Sequence, residues 1–166
     1  MVEAGEPTLT TEYEVGAGIS LSSRLVKGRG HALKLPVIDI AEVGAGGGSI
    51  VRIDSGGALK VGPDSAGAFP GPVCYETGGV DPTVTDANVT LGFINPQALA
   101  GGVITLNRDK AIESIQKTAA EPLKISALDA AHGVYEIANV SMIRAIKAVT
   151  TYRGRDPREF AMLAFG

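Results

Sequence analysis

The sequence predicts a mixed α/β fold of the α+β kind, with a first half of strands and loops and a helical second half. Glycine supports the first part of this prediction, because the 22 glycines of the 166-residue chain are concentrated between Gly44 and Gly102. Short apolar segments of strand character alternate with them. Beyond residue 106, apolar residues recur at the three- and four-residue spacing of helices. We expect a β and loop part at about residues 10–106, a helical part at about 107–152 and a buried strand at 159–166.

Composition and charge exclude several classes of function. A net charge of −3 gives no electrostatic basis for binding nucleic acid or an anionic membrane surface. The sequence has no apolar run of the length that a membrane span needs and no signal-peptide pattern. Its one cysteine, Cys74, excludes an internal disulfide and suits a reducing compartment. We therefore expect a cytoplasmic protein with neither nucleic acid nor membrane as a partner.

The first strands are predicted near the beginning of the chain. Residues 11–15 alternate in the manner of a half-buried strand. Residues 31–43 form a second extended segment, in which Pro36 favours an edge position or a bulge because proline cannot donate a ladder hydrogen bond.

A hairpin and a long loop are predicted next. Residues 50–54 and 58–61 are strand-like and flank Ser55-Gly56-Gly57, which predicts a β-hairpin. Residues 62–79 contain too many glycines and prolines for a regular element and predict an ordered loop.

A short helix is predicted over residues 85–92. Thr85 can cap its first turn, and Asp86 lies where a carboxylate is favoured by the free N–H groups of a helix start. Gly92 follows the last apolar residue, which is the usual place for a glycine that ends a helix.

Two longer helices and a strand are predicted in the second half. The first helix covers residues 109–120 and is stopped by Pro122. Ser126 caps the second helix, which runs to about Thr150 and has a core-facing set of apolar residues: Leu128, Ala131, Val134, Ile137, Ala138, Met142, Ile143 and Ile146. Residues 160–165 are apolar without alternation, as in a strand covered on both faces, and the chain stops directly after them. We expect from this that the chain is truncated.

The glycine loop, residues 44–49, is the segment with the clearest functional pattern. Four of its six residues are glycine, and strand-like segments flank it on both sides. Glycine allows positive φ angles, close approach of a ligand to the backbone, or a set of N–H groups that face an anion. The alternative is a plain glycine-rich hairpin with no ligand.

Six motifs in order resemble one known family. They lie at residues 39–49 (DIAEVGAGGGS), 61–68 (VGPDSAGA), 70–75 (PGPVCY), 83–88 (TVTDAN), 152–158 (YRGRDPR) and 160–166 (FAMLAFG). Together they resemble the hydantoinase A, oxoprolinase and acetone carboxylase subunit family, from about Tyr13 to the end of the chain.

The resemblance implies an ATP-dependent enzyme whose fold is similar to the actin, Hsp70 and sugar-kinase group, a ribonuclease H-like fold. Such enzymes phosphorylate a carbonyl oxygen of a cyclic amide before ring-opening hydrolysis, or of a ketone before carboxylation. ATP and Mg²⁺ are the implied cofactors, and a hydantoinase B-type subunit is the implied partner. The alternatives left open are an acetone carboxylase-type ligase and a non-catalytic assembly segment.

The resemblance also implies that the chain is a central fragment. Family members are several times longer and have phosphate-binding segments before and after the part that matches. We expect the fragment alone to be inactive, and to form a homodimer where the missing parts leave apolar faces uncovered.

The glycine loop provides most of the candidate site residues. Its backbone N–H groups and one hydroxyl can contact a phosphate or a developing oxyanion. The residues assigned to this substrate- or phosphate-binding role are Gly44, Gly46, Gly47, Gly48 and Ser49.

Three charged residues complete the candidate site. Asp39 and Asp86 are the predicted catalytic and metal-binding carboxylates, with Mg²⁺ as the metal. The family commonly has a histidine two residues after Asp39, where this chain has Ala41, so no role is carried over from that histidine. Arg153 is predicted to contact phosphate or a carboxylate. Structural alternatives stay open for Asp39, as a loop-edge carboxylate, for Asp86, as a helix-start carboxylate, and for Arg153, as a cation that follows a helix C-terminus.

Overall fold

The computed structural model describes residues 2–11, 13–15, 31–33, 35–38, 40, 43–99 and 102–163. The chain divides into two compact units, one of residues 1–43 with 142–166 and the other of residues 44–141. Both strands and helices are present, so the mixed α/β class is confirmed. Among the described helices, none combines the length and the apolar character that crossing a membrane requires.

The described residues of the unit 1–43 with 142–166 form six short strands: β1 (Val2–Glu3), β2 (Glu6–Pro7), β3 (Leu9–Thr10), β4 (Tyr13–Val15), β5 (His31–Leu33) and β6 (Val37–Ile38). They pair antiparallel as β1 with β2, β3 with β6 and β4 with β5. The extended segment predicted at 31–43 is thus divided into two strands, and Pro36 lies between them.

The predicted strand at 159–166 is not formed in the described part of that segment. Two 3₁₀ turns, Thr151–Arg153 and Pro157–Glu159, precede it, and residues 161–163 have no regular structure. Met162 and Leu163 are 83% and 81% exposed. A strand needs a neighbour for its backbone groups, and none of the described strands pairs with this segment. Residues 164–166 lie outside the described residues.

The unit of residues 44–141 begins with the predicted hairpin, which is confirmed. Strand β7 (Ser49–Ile53) pairs antiparallel with β8 (Leu59–Ser65), with a register shift between Ser49 and Val51. Strand β8 runs to Ser65 and so takes in residues that the sequence assigned to a loop. Pro63 is tolerated there because no described strand pairs with the other edge of β8.

Helix α1 (Val84–Leu91) begins one residue earlier than predicted, and its N-cap lies two residues earlier. Thr83, not Thr85, is the N-cap, because its side chain and that of Asp86 form a reciprocal capping box. The helix ends as predicted at Gly92, whose φ of 79° lies in the left-handed region.

The helix predicted at 109–120 continues past its predicted end. It consists of α2 (Arg108–Ile115), a π-helical segment (Gln116–Ala120) and α3 (Glu121–Leu123). Pro122 does not stop it, because the Glu121 N–H bonds five residues back to Gln116 and the wider turns accommodate a residue that has no N–H.

Helix α4 (Ala127–Val149) has the predicted cap. The Ser126 hydroxyl accepts a hydrogen bond from the Asp129 N–H (3.0 Å) and donates one to the Asp129 carboxylate (2.6 Å). Only part of the predicted apolar face of α4 is buried in the core. Ala131, Val134 and Ala138 are buried, whereas the other end of the set is exposed at Met142, Ile143 and Ile146, and so is Leu128.

The core of this unit consists of two clusters of small and branched side chains. The larger cluster contains Val51, Val84, Ala87, Ile115, Ala119, Ala120, Ala130, Ala131, Val134 and Ala138. The smaller cluster contains Cys74, Val89, Leu106 and Ala111. Six of the ten residues in the larger cluster are alanine, which lets the helices approach the hairpin closely.

Candidate functional site

The glycine loop enters β7 through a β-turn over residues 46–49. The Ser49 N–H donates to the Gly46 carbonyl at 3.1 Å, and the Gly46 N–H donates to Ser49 Oγ at 3.0 Å. Ser49 is buried, whereas Gly46 is exposed. The hydroxyl that the sequence assigned to a ligand therefore accepts a hydrogen bond from the loop itself.

Close packing, not unusual backbone angles, explains two of the loop glycines. None of the loop glycines has φ in the left-handed region. A Cβ on Gly47 would lie 2.8 Å from Thr85 Oγ1, and one on Gly48 would lie 2.7 Å from Ser65 Oγ. Both distances are too short for a carbon atom, so these positions need glycine because neighbouring hydroxyls occupy the space.

The other two glycines differ from each other. A Cβ on Gly44 would lie 3.3 Å from Pro63 Cβ, which is a tight contact. A Cβ on Gly46 would have no atom of the described residues within 4 Å, so those residues leave one side of the loop open. The loop is packed against the hairpin and α1 from one side only.

The carbonyl groups of the loop are fixed by hydrogen bonds. Gly47 O accepts from the Thr85 N–H (2.9 Å) and from Thr85 Oγ1 (3.0 Å). Gly46 O accepts the turn hydrogen bond, and Gly48 O accepts from the Ala66 N–H (2.9 Å). The donors come from α1 and from the segment after β8.

These bonds also determine where two N–H groups point. In a trans peptide the C=O and the following N–H are directed oppositely. Because Gly46 O bonds the Ser49 N–H and Gly47 O bonds Thr85, the N–H groups of Gly47 and Gly48 are directed away from those partners. Neither N–H makes a hydrogen bond to any of the described residues. Two adjacent N–H donors on an exposed turn can bind one anionic oxygen.

Asp86 is fully buried and accepts four hydrogen bonds. The donors are the backbone N–H groups of Val73 (3.2 Å), Cys74 (2.8 Å) and Thr83 (2.8 Å), and the Thr83 hydroxyl (2.9 Å). We call these five groups the Asp86 network. A carboxylate has about four lone-pair sites. Three of the donors bond Oδ2 and one bonds Oδ1, and all four belong to the fold itself, which favours the structural interpretation of Asp86 over a role as metal ligand or general base.

Cys74 is a buried structural thiol. It is fully buried in the smaller core cluster. Burial, with the nearby Asp86 carboxylate as a second cause, raises the pKa of the Cys74 thiol far above its usual range. The thiol is therefore neutral at physiological pH and unsuited to nucleophilic attack.

The amide of Asn88, one helical turn after Thr85, is incompletely paired. Its Oδ1 is buried and has no hydrogen-bond partner among the described residues. Buried polar atoms usually have a partner, so this oxygen is an acceptor for a donor that those residues do not supply.

The structure does not place the other predicted site residues against the glycine loop. Asp39 and Ala41 lie outside the described residues. Arg153 ends a 3₁₀ turn in the unit of residues 1–43 and 142–166, whereas the glycine loop belongs to the other unit. Within the described ranges, no three His, Cys, Asp or Glu side chains form a group that could hold a metal ion. Among the described residues of the second unit, the candidate site consists of the glycine loop and the residues that hold it, Thr85 of α1 and Ser65 of β8.

Thr85 and Ser65 are the two contributors that sequence reasoning missed. Thr85 was interpreted only as a helix cap, and Ser65 only as part of a loop. The one available signal was their small hydroxyl side chains within the motifs at 83–88 and 61–68. Nothing in the spacing indicated that they pack on Gly47 and Gly48.

Comparison with known proteins gives a family match along the whole chain. The family model described as hydantoinase/oxoprolinase matches residues 1–166. The caprolactamase subunit alpha of Pseudomonas jessenii is 52% identical over 136 residues, which are 82% of this chain and 20% of that subunit.

Two solved structures are similar to this chain. Nucleotide-free acetone carboxylase, an enzyme of ATP-dependent acetone carboxylation, gives a TM-score of 0.77 at 32% identity and covers 94% of this chain and 20% of its own. The ATP-dependent caprolactamase from Pseudomonas jessenii gives a TM-score of 0.71 at 53% identity and covers 77% of this chain and 18% of its own. This chain spans about a fifth of the length of these relatives.

Proposed function

The chain belongs to the hydantoinase/oxoprolinase family, and on that premise we propose that it is a segment of an ATP-dependent enzyme acting on cyclic amides. The proposed reaction transfers the γ-phosphoryl group of ATP to the amide carbonyl oxygen, after which water opens the ring. Because the chain spans about a fifth of its relatives, the activity is assigned to the family-length enzyme, and we expect the isolated chain to have none.

One observation carries this proposal: the two unbonded N–H groups of Gly47 and Gly48 are held in fixed directions on the exposed side of a turn. Negative charge develops on the carbonyl oxygen and on the phosphoryl oxygens as the phosphoryl group is transferred. Donors that are already oriented stabilise such charge without reorganising, and one oxyanion donor is typically worth about 100-fold or more in rate. The role we assign to the loop is to hold this oxygen.

Asp86 supports the loop in this proposal and takes no part in the chemistry. Its network joins residues 73–74 to the start of α1, which positions Thr85 against Gly47. The described residues do not fit Mg²⁺, because Asp86 accepts four hydrogen bonds from the fold and no three His, Cys, Asp or Glu side chains among those residues form a group that could hold a metal ion. No step is therefore assigned to a metal at this site.

The carboxylase alternative is a second candidate. The similarity to acetone carboxylase over 94% of this chain favours it, since a ketone enolate also presents a developing oxyanion. The loop geometry suits both substrates. A hydantoinase B-type partner subunit is part of both proposals, because the similar caprolactamase chain is itself named as a subunit.

Gly46→Ala in a family-length enzyme that carries this segment tests the proposal. A Cβ at residue 46 has open space around it, so the variant should fold normally while a methyl group occupies the exposed side of the loop. We expect kcat/KM for lactam-dependent phosphate release from ATP to fall about tenfold or more. The substrates are hydantoin, 5-oxoproline and acetone, of which acetone tests the carboxylase alternative.

The matched control is Gly56→Ala, which adds the same methyl group to the turn at the opposite end of β7. It should leave turnover unchanged. Unchanged turnover in Gly46→Ala would contradict the role of the loop. A wild-type enzyme that releases no phosphate with any of the three substrates would contradict the reaction.

A further inference from the structure

We propose that Thr85 is a positioning residue that sets the direction of the Gly48 N–H through the carbonyl of Gly47. This inference rests on the proposed function, because it names the residue that keeps the glycine loop in its anion-binding geometry. Thr85 is almost fully buried, so it acts through the loop and does not touch a bound substrate.

The first support is that Thr85 places two donors on one acceptor. Its N–H and its hydroxyl bond Gly47 O at 2.9 and 3.0 Å, which uses both lone pairs of that oxygen. Thr85 is the second residue of α1, where a backbone N–H has no partner inside the helix. The helix start therefore supplies a donor that would otherwise be unsatisfied, and the side chain supplies the second.

The second support is steric. Thr85 Oγ1 occupies the space where a Cβ of residue 47 would lie, at 2.8 Å. Threonine is stiff about χ1, and this hydroxyl is held by its bond to Gly47 O. The same atom thus attracts the Gly47 carbonyl and prevents any larger residue at position 47.

The consequence concerns the next peptide group. Gly47 O and the Gly48 N–H belong to one planar trans peptide, so a rotation of the carbonyl away from α1 turns the N–H by the same angle. Loss of the Thr85 hydroxyl removes one of the two bonds that resist this rotation. The expected defect is in the transition state, where hydrogen-bond direction matters most, and appears in kcat more than in KM.

Three variants of the family-length enzyme test the inference. Thr85→Val keeps the shape and the N–H but removes the hydroxyl donor, and we expect kcat to fall about tenfold with KM changed less than about threefold. Thr85→Ser keeps both donors and should restore kcat to within about twofold of wild type. Thr90→Val is the matched control, because Thr90 is equally buried in α1 and its hydroxyl bonds Asp86 O (2.8 Å), away from the loop.

The outcomes separate this inference from the proposed function. A normal kcat in Thr85→Val, or an equal loss of kcat in Thr85→Val and Thr90→Val, would overturn the positioning role. The proposed reaction would still stand in either case, provided that the wild-type enzyme is active. Failure of Thr85→Ser to restore kcat would also overturn it. A wild-type enzyme with no lactam- or ketone-dependent turnover would overturn both.

Discussion

Two glycine-containing turns lie at opposite ends of β7, and they differ in what happens to their N–H groups. In the turn between β7 and β8, the Asp54 carboxylate accepts from the N–H groups of Gly56 and Ala58, each at 2.9 Å. Gly57 has φ of 81°, so glycine serves the backbone conformation there. In the glycine loop, glycine allows close packing, and the N–H groups of Gly47 and Gly48 make no hydrogen bond to the described residues. The two turns therefore differ in how many of their N–H donors are satisfied by their own side chains.

Asp86→Asn should give the largest loss of local stability, and it should change the glycine loop but not the turn at Asp54. The amide would present an NH₂ group to backbone donors that need an acceptor, and unsatisfied bonds to a buried charged group cost about 3 kcal/mol. We expect the residues 73–74 segment and α1 to open more often, with loss of the glycine loop geometry, while the Asp54 turn is unaffected. Hydrogen exchange of the Val73 and Cys74 amides measures the opening.

Alkylation of Cys74, followed by peptide mass spectrometry, provides a second readout for Asp86→Asn. The wild-type thiol is buried and its pKa is raised, so modification should be slow even at pH 8. The variant should react faster. Equal exchange and equal alkylation in the two proteins would show that the network does not hold this region.

Gly47→Ala should give a smaller loss of stability, and it tests the close packing that distinguishes the glycine loop from the turn at Asp54. The added methyl group clashes with buried Thr85, and overpacking of this kind costs about 1–3 kcal/mol. The double variant Gly47→Ala/Thr85→Ala removes the clashing hydroxyl and should recover part of that stability without recovering turnover. Stability is followed by local hydrogen exchange and turnover by phosphate release.

Gly57→Ala is the matched control for Gly47→Ala, because φ at residue 57 is positive and alanine there is strained by about 1–2 kcal/mol. It should destabilise the hairpin without lowering turnover. A loss of turnover in Gly57→Ala equal to that in Gly47→Ala would mean that activity follows hairpin stability and not loop geometry.

Asp54→Asn should give the smallest effect, visible only in its pH dependence. Hydrogen bonds from the Ala58 and Gly56 backbones, with the charge of Lys60, hold the pKa of the Asp54 carboxyl below its ordinary value of 3.8. The stabilisation is therefore fully present above about pH 4 and is lost as the pH falls through the lowered pKa. Hydrogen exchange of the hairpin amides should change with acidification in the wild type and change less in the variant. Identical pH profiles would contradict the contribution of Asp54.

The sequence located the hairpin and the glycine loop but not the boundaries that depend on longer-range contacts. The turn at 55–57 was predictable because its signal is local. The N-cap of α1 was placed two residues late because Thr83 and Thr85 are both good caps, and the choice depended on the reciprocal bond with Asp86. Pro122 was taken as a helix stop because the π-helical segment before it has no sequence signature.

The candidate site was predictable only in its position along the chain. The glycines indicated that some group approaches the loop backbone closely. The groups that do so are the hydroxyls of Thr85, 38 residues from Gly47, and of Ser65, 17 residues from Gly48. For Asp86, the helix-start position suggested the structural alternative. The donors at Val73 and Cys74, which decide in its favour, come from a loop whose path no local pattern specifies.

The separation of Thr85 from Gly47 has a consequence for the order in which the chain acquires its structure. The Asp86 network closes loops of at most 13 residues, whereas the bond from Thr85 to Gly47 closes one of 38. The entropy of closing the longer loop is greater by about 1 kcal/mol. During synthesis the glycine loop also emerges before α1, so its bonds to Thr85 can form only after α1 has been made. We therefore expect the local helix start to form early and the anion-binding geometry to be among the last features that folding completes.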